Sequence, residues 1–271
     1  MGNLEKYVDD IFVCDDSSFD GTTEWLCRYL GEDHVLEVPA DQHDFSNELY
    51  LKQKLLELVH RNGPWNYILW MDSDETLDAN GTAGIRKWCE VNRDNHEVKG
   101  LLFHYTQLWQ STNWARTDSE FDEGNFLKLW RYEPTLSFEI LPGTHNRQFP
   151  IQMGTYLGQG KIKQSPYEVI HWGNVGANLK QKILQYYGGL GGVDRHLNFE
   201  HATYRPVSED QLPEGSERIP VEQVVPYTPE QVQRLEQMRD LHDLKKTFCI
   251  IIPTYNRAEY LKRTLDSVLA Q

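Results

Sequence analysis

Short apolar runs bounded by polar or turn-forming residues recur at Ile11–Cys14, His34–Val38, Tyr67–Met71, Gly100–Tyr105 and Phe248–Ile252, and each predicts a strand. Between several of them the apolar positions change to a helical period. One helix is predicted from Asp20-Gly21-Thr22-Thr23, with Asp20 or Thr22 as its cap, through Trp25, Leu26 and Leu30. Another covers Ser46 to His60, where Leu49, Leu51, Leu55, Leu56 and Val59 supply one apolar face, and Asn62-Gly63-Pro64 stops it. This alternation predicts an α/β fold with a mainly parallel sheet flanked by helices.

The last of these runs reads as the opening one. Thr247-Phe248-Cys249-Ile250-Ile251-Ile252 is closed by Pro253 and leads into a helical segment from Arg257 to Gln271, which is how such an α/β domain begins. The first run of the chain ends in Asp15-Asp16, which is how a second strand ends. Joining Gln271 to Met1 restores ordinary spacing. Either the chain is circularly permuted, or it is a tandem protein cut soon after its second domain begins. Permutation is favoured, because a cut tandem would leave a slot in a parallel sheet that normally has both faces covered, whereas breaks in exposed loops near adjoining termini are tolerated. In the tandem case residues 247–271 would pair with another chain and give a strand-swapped dimer.

The predicted organisation is thus a main domain over residues 1–204, from its second strand onward, and a segment 205–246 that is a linker and a helix. The linker is rich in Pro, Glu, Ser and Gln; the helix carries Val232, Leu235, Met238, Leu241 and Leu244 on one stripe. Residues 247–271 supply the displaced opening strand and helix, or the start of a truncated second domain.

Composition narrows the classes. With 39% hydrophobic and 25% charged residues among 271, disordered and collagen-like chains are excluded. No apolar run approaches the roughly 20 residues that span a bilayer, and the acidic start lacks the basic region of a signal peptide. A formal charge of −14 argues against a nucleic-acid partner. An acidic protein that handles a phosphorylated ligand would use a divalent cation to bridge carboxylates to phosphates. Cys14, Cys27, Cys89 and Cys249 show no close pairing, which predicts a reducing, cytoplasmic location and no zinc site.

Three strand-end clusters carry the candidate chemistry. Trp70-Met71-Asp72-Ser73-Asp74-Glu75 follows the apolar Tyr67-Ile68-Leu69, so that two carboxylates one residue apart converge where ligands bind in open α/β sheets. Asp15-Asp16 stands at a second strand end, where a turn and helix cap is the plainer reading. Pro253-Thr254-Tyr255-Asn256-Arg257 is the third.

Together the blocks Ile250–Arg257, Val13–Thr22 and Leu69–Glu75 resemble the family-2 glycosyltransferases of GT-A fold, over about 130 residues once reordered. Asp44-Phe45-Ser46 and Gln53-Lys54 are most similar to the branch that elongates lipopolysaccharide cores and related glycans. The resemblance implies a Rossmann-like sheet and an inverting, metal-dependent transfer of sugar from a nucleotide donor, a UDP-sugar, to a glycan or other hydroxyl acceptor. It implies that Pro253, Thr254, Tyr255, Arg257 and Asp15 or Asp16 hold the nucleobase and ribose, with Lys54 beside the nucleotide. Asp72 would face ribose or metal, and Asp74 the Mn²⁺ or Mg²⁺ that bridges the diphosphate. His171, in Val169-Ile170-His171-Trp172-Gly173, resembles the late histidine that completes the metal site; a satisfied core or surface histidine is the alternative.

Such a transfer needs a Lewis acid for the departing diphosphate and a carboxylate to take the acceptor's proton. Asp118, then Asp122 and Glu120, are the base candidates, in an acidic loop that lacks the Glu-Asp pair many relatives carry there. His145 reads as a turn residue. Trp109, Trp114, Trp130 and Trp172 fall in the acceptor half, and core packing explains most tryptophans. A nucleotidyltransferase would carry a glycine-rich, basic phosphate loop, and Pro253–Arg257 has no glycine. A non-catalytic nucleotide- or carbohydrate-binding module is the other rival, against which the intact Asp15, Asp16, Asp72 and Asp74 count.

Overall fold

The computed structural model describes residues 7–18, 21–39, 48–118, 124–138, 149–175 and 203–219. The first two strands, β1 (Val13–Asp15) and β2 (Val35–Glu37), form a parallel pair connected by α1 (Thr22–Leu30). α1 is anchored by the fully buried Leu26. Its N-cap is Gly21 at φ 86°, with no side-chain cap, so Thr22 is the first helical residue and not the cap it was expected to be. Asp20 lies outside the described residues.

α2 (Glu48–Arg61) follows, with the apolar face its period predicts, and leads to β3 (Tyr67–Leu69) and β4 (Glu75–Leu77). Then come α3 (Ala79–Val91), β5 (Gly100–Leu108), β6 (Trp114–Arg116), β7 (Asn125–Arg131), α4 (Ile151–Gly158), β8 (Ile162–His171) and β9 (Tyr204–Pro206). Strands β3 to β9 form one seven-stranded sheet. β5 is its centre, with β8 along one edge and both β7 and β6 along the other. β4 extends the sheet beyond β8, β3 beyond β7 and β9 beyond β6.

Helices cover both faces. Leu49, Leu56 and Val59 of α2 and Met153 of α4 pack on Ile68, Leu127, Trp130 and Ile162. Ile85 of α3 packs on Leu77, Leu101, Phe103 and Val169. β3 shows the alternation of a two-sided strand: Ile68 belongs to the first cluster, while Tyr67 and Leu69 pack against the second. At Gly100 the strands approach so closely that a Cβ would stand 2.6 Å from the Leu129 carbonyl oxygen.

The α/β class is thus present, but the expected parallel character of the sheet is not. β1–β2 and β5–β8 are parallel, whereas β3–β7, β4–β8, β5–β6, β5–β7 and β6–β9 are antiparallel. β7 and β8 carry the antiparallel pairings of β3, β4 and half of β5. They escape an apolar-run search because charges interrupt them: Lys128 in β7, Lys163 and Glu168 in β8. The stretch with linker composition also carries structure. β9 adds to β6, Val207 and Leu212 pack with Leu108, Ala115 and Ile170, and the Ile219 amide donates to Thr112 Oγ1 at 3.0 Å. Two apolar side chains dock it, too few for composition to reveal. Among the described residues no helix is long and apolar enough to cross a membrane.

Candidate active site

The carboxyl end of β3 and the start of β4 form a tight acidic turn. The Glu75 amide donates to the Asp72 carbonyl at 3.0 Å, and the Asp72 amide donates to Glu75 Oε2 at 2.9 Å. This reciprocal pair fixes the turn and leaves the Asp72 and Asp74 side chains partly exposed.

β4 then pairs with β8 so that Glu75 lies opposite His171. The Trp172 amide donates to the Asp74 carbonyl at 2.7 Å, and His171 Nε2 lies 3.5 Å from Asp74 Oδ2. Trp172 Nε1 donates to Thr76 Oγ1 at 2.8 Å, closing the strand pair from the other side of the turn. Three of the sequence-predicted residues, Asp72, Asp74 and His171, are therefore brought together although His171 lies about a hundred residues from the other two in the chain.

Sequence reasoning missed what lies beneath them. Lys128 of β7, almost wholly buried, stands 2.8 Å from Glu75 Oε2 and 3.4 Å from Asp72 Oδ2. Tyr105 of β5 donates its hydroxyl to Glu75 Oε1. Burial pushes the Glu75 carboxyl up to about 8; the Asp72 charge adds to the rise, while Lys128 and the Asp72 amide oppose it. Burial by itself would lower the Lys128 ammonium, but Asp72 and Glu75 with their hydrogen bonds more than reverse that, and its pKa is raised. The site thus holds a charged ammonium against the Asp72 carboxylate and a Glu75 that takes up a proton readily. The available signal was a lysine inside the apolar run Phe126-Leu127-Lys128-Leu129-Trp130.

A register line runs across the sheet from this turn. Glu75 lies opposite His171, His171 opposite Gln107, Gln107 opposite Arg116 and Arg116 opposite Tyr204. Directly paired residues project from the same face. Among the described residues, His171 Nδ1, Gln107 Oε1 and the Tyr204 hydroxyl on that line are buried with no hydrogen-bond partner. Arg116, stacked over Trp109 at 4.7 Å, grips Asp118 with two hydrogen bonds of 2.5 and 2.9 Å. Arg116 is two strands from His171, about 10 Å away.

The second carboxylate pair closes β1. Asp15 is fully buried; its Oδ1 accepts from Ser18 Oγ at 2.6 Å and its Oδ2 from the Thr23 hydroxyl. Asp16 is buried beside it, and an open recess lined by Ser18, Thr23, Cys27 and Arg28 lies against the same turn. Burial, reinforced by Asp16 and Asp15, pushes the Cys14 thiol up to about 12, so it is an inert core thiol.

Lys54 pairs with Glu57 at 3.0 Å on the exposed side of α2, and among the described residues it has no contact with Asp72 or Asp74. Glu120, Asp122, Pro253, Thr254, Tyr255, Arg257 and His145 lie outside the described residues.

Among the described residues no three His, Cys, Asp or Glu side chains are placed to hold a metal ion between them. The donors present nevertheless suit a hard divalent cation of the kind that takes one or two protein ligands and completes its shell with phosphate oxygens and water. They are carboxylates with an imidazole whose other nitrogen is buried without a partner among the described residues.

The described residues thus place carboxylates at the strand ends of an α/β fold, where ligands bind in open α/β sheets. The sequence model of Glycosyl transferase family 2 matches residues 249–271, which relates that segment to the glycosyltransferases. No curated protein matches the chain.

Proposed function

We propose that the chain is an inverting, metal-dependent glycosyltransferase that moves a sugar from a UDP-sugar to a glycan or other hydroxyl acceptor. The observation that carries this is the convergence of Asp74 and His171, 3.5 Å apart, beside Asp72 at the end of β3. The match of residues 249–271 to family 2 supports the class of reaction.

In this reading Asp74 and His171 hold Mn²⁺ or Mg²⁺, with Asp72 facing ribose or metal. The cation would stabilise the charge that develops on the departing diphosphate. Lys128 holds Asp72 in place and keeps the buried charge of the turn balanced. Asp15, Asp16, Pro253, Thr254, Tyr255 and Arg257 bind the nucleoside, and Lys54 adds a cation at the rim after leaving Glu57. Asp118 is the proposed base, held by Arg116, with Asp122 and Glu120 as the other candidates. The free thiols of Cys14, Cys27 and Cys89 are consistent with work in the cytoplasm.

The test is turnover of UDP-, GDP- and CDP-sugars by the full chain with Mn²⁺, following release of the nucleoside diphosphate. Release from a UDP-sugar that falls at least about 100-fold in Asp74→Asn supports the reading. Absence of release from every donor, with the protein folded and nucleotide bound, would contradict it.

A further inference from the structure

We propose that residues 203–212 form a strap that positions His171, with Arg205 and Leu212 as its fasteners. From the far face of the sheet it holds the two residues that flank His171 and so keeps the imidazole beside Asp74. This role rests on the reading of Asp74 and His171 as a metal-binding pair.

Alternation along β8 gives His171 and Ile170 opposite faces of the sheet. His171 lies in line with Glu75 and Gln107, whereas Ile170 lies in line with Thr76 and Thr106. Trp172, just past β8, belongs to the Ile170 side. Its indole packs against the cluster that contains Ile170, Leu108 and Ala115, and its Nε1 donates to Thr76 Oγ1 at 2.8 Å. The amide of the same residue donates to the Asp74 carbonyl at 2.7 Å. Trp172 thus joins the far-face cluster to the backbone of the acidic turn, and Ile170 and Trp172 together decide where the residue between them points.

The strap completes that cluster. Val207 and Leu212, both buried, are its other members, and truncating either leaves a void beside Ile170 and Trp172 into which they can shift. Arg205 fastens the strap next to them. It donates to Thr106 Oγ1 at 2.6 Å and stands 3.7 Å from Glu168 Oε2, which also accepts from the Thr106 hydroxyl at 2.6 Å. Thr106 is the β5 residue opposite Ile170, and Glu168 lies on β8 itself. A charge-assisted clamp therefore ties β9 to both β5 and β8 close to the site. Backbone bonds hold the strap on either side of the clamp: the Thr117 amide donates to the Thr203 carbonyl and the Val207 amide to the Asn113 carbonyl, each at 2.8 Å.

The experiment compares Leu212→Ser, Arg205→Ala and Arg205→Lys with the wild type in the full chain. Mn²⁺ affinity is read by electron paramagnetic resonance in the presence of UDP. The His171 ring resonances, assigned by their loss in His171→Ala, are read by NMR in the metal-free protein at one pH. Mn²⁺ binding should weaken about 3–30-fold in Leu212→Ser and Arg205→Ala, and the His171 resonances should shift or broaden. Arg205→Lys, which keeps a cation for Glu168, should restore both. If Leu212→Ser unfolds the chain, Arg205→Ala, at a partly exposed position, decides alone. Unchanged Mn²⁺ affinity and unchanged His171 resonances in the folded variants would overturn the proposal and leave the strap a structural cover. A wild type that binds no Mn²⁺ would instead overturn the metal-pair reading, and the metal-free resonances would then decide whether the strap positions His171.

Discussion

His171 and Glu75 face each other across the β4–β8 pair, and that single register contact is what sets the His171 imidazole beside Asp74. A slip of one residue in β8 would turn His171 to the opposite face of the sheet. The apolar residues of β8, Val169 and Ile170, both fully buried, hold the register.

The pair makes the metal site testable without turnover. Mn²⁺ bound in the presence of UDP, counted by electron paramagnetic resonance, should weaken at least about tenfold in His171→Ala, and by at least as much in Asp74→Ala. Unchanged Mn²⁺ affinity in both variants would remove these residues from the site.

Lys128→Met should destabilise the fold by about 1–3 kcal/mol, because it takes the ammonium partner from the buried Glu75 carboxyl. Adding Glu75→Gln should cost less than its single effect on the wild type, since the two residues share one network. Urea unfolding of the two single variants and the double variant measures this, and strict additivity would refute the network.

The same network predicts a pH dependence. The Glu75 carboxyl is raised from 4.5 to about 8 in the folded chain. Below 4.5 both folded and unfolded states hold the proton, and the stabilisation from this group is complete. As pH rises from 4.5 through 8 the unfolded glutamate ionises first, and stability falls. The stability of wild type relative to Glu75→Gln should therefore decline between pH 5 and pH 8, as followed by urea unfolding; a constant difference across that window would contradict the assignment.

Asp118→Asn should lower kcat by about 10²–10⁴-fold while leaving UDP affinity unchanged, as expected for loss of a base that touches only the acceptor. Equal loss in kcat and in thermal stability would instead mark the Arg116–Asp118 pair as a strut.

Gly100→Ala tests the fold away from the site. The added methyl meets the Leu129 backbone carbonyl, which has no rotamer by which to yield, so a loss of about 1–3 kcal/mol is expected. Retention of wild-type stability would show that β5 and β7 can part.

Much of the first half of this layout could be read from the chain, because β1, β3, α1 and α2 carry uninterrupted apolar periods and lie close in sequence to the carboxylates they position. The place of Asp72 and Asp74 at the end of β3 was legible for the same reason. Lys128 was not, since a charge within an apolar strand reads as an outward residue until Glu75 and Tyr105 are seen to enclose it. Nor was the sheet's direction, which rests on β7 and β8. Their partners are fixed by pairing between strands far apart in sequence, and a linear pattern carries no record of which neighbour a strand chooses.

The most direct test of the central claim is calorimetric titration of UDP into the full chain with and without Mn²⁺, repeated on Asp74→Ala. Binding that requires Mn²⁺ and is lost in the variant is the predicted result. Binding of UDP that is indifferent to both the metal and Asp74, or no binding of UDP at all by the folded chain, would contradict a metal-bridged UDP-sugar site at the end of β3.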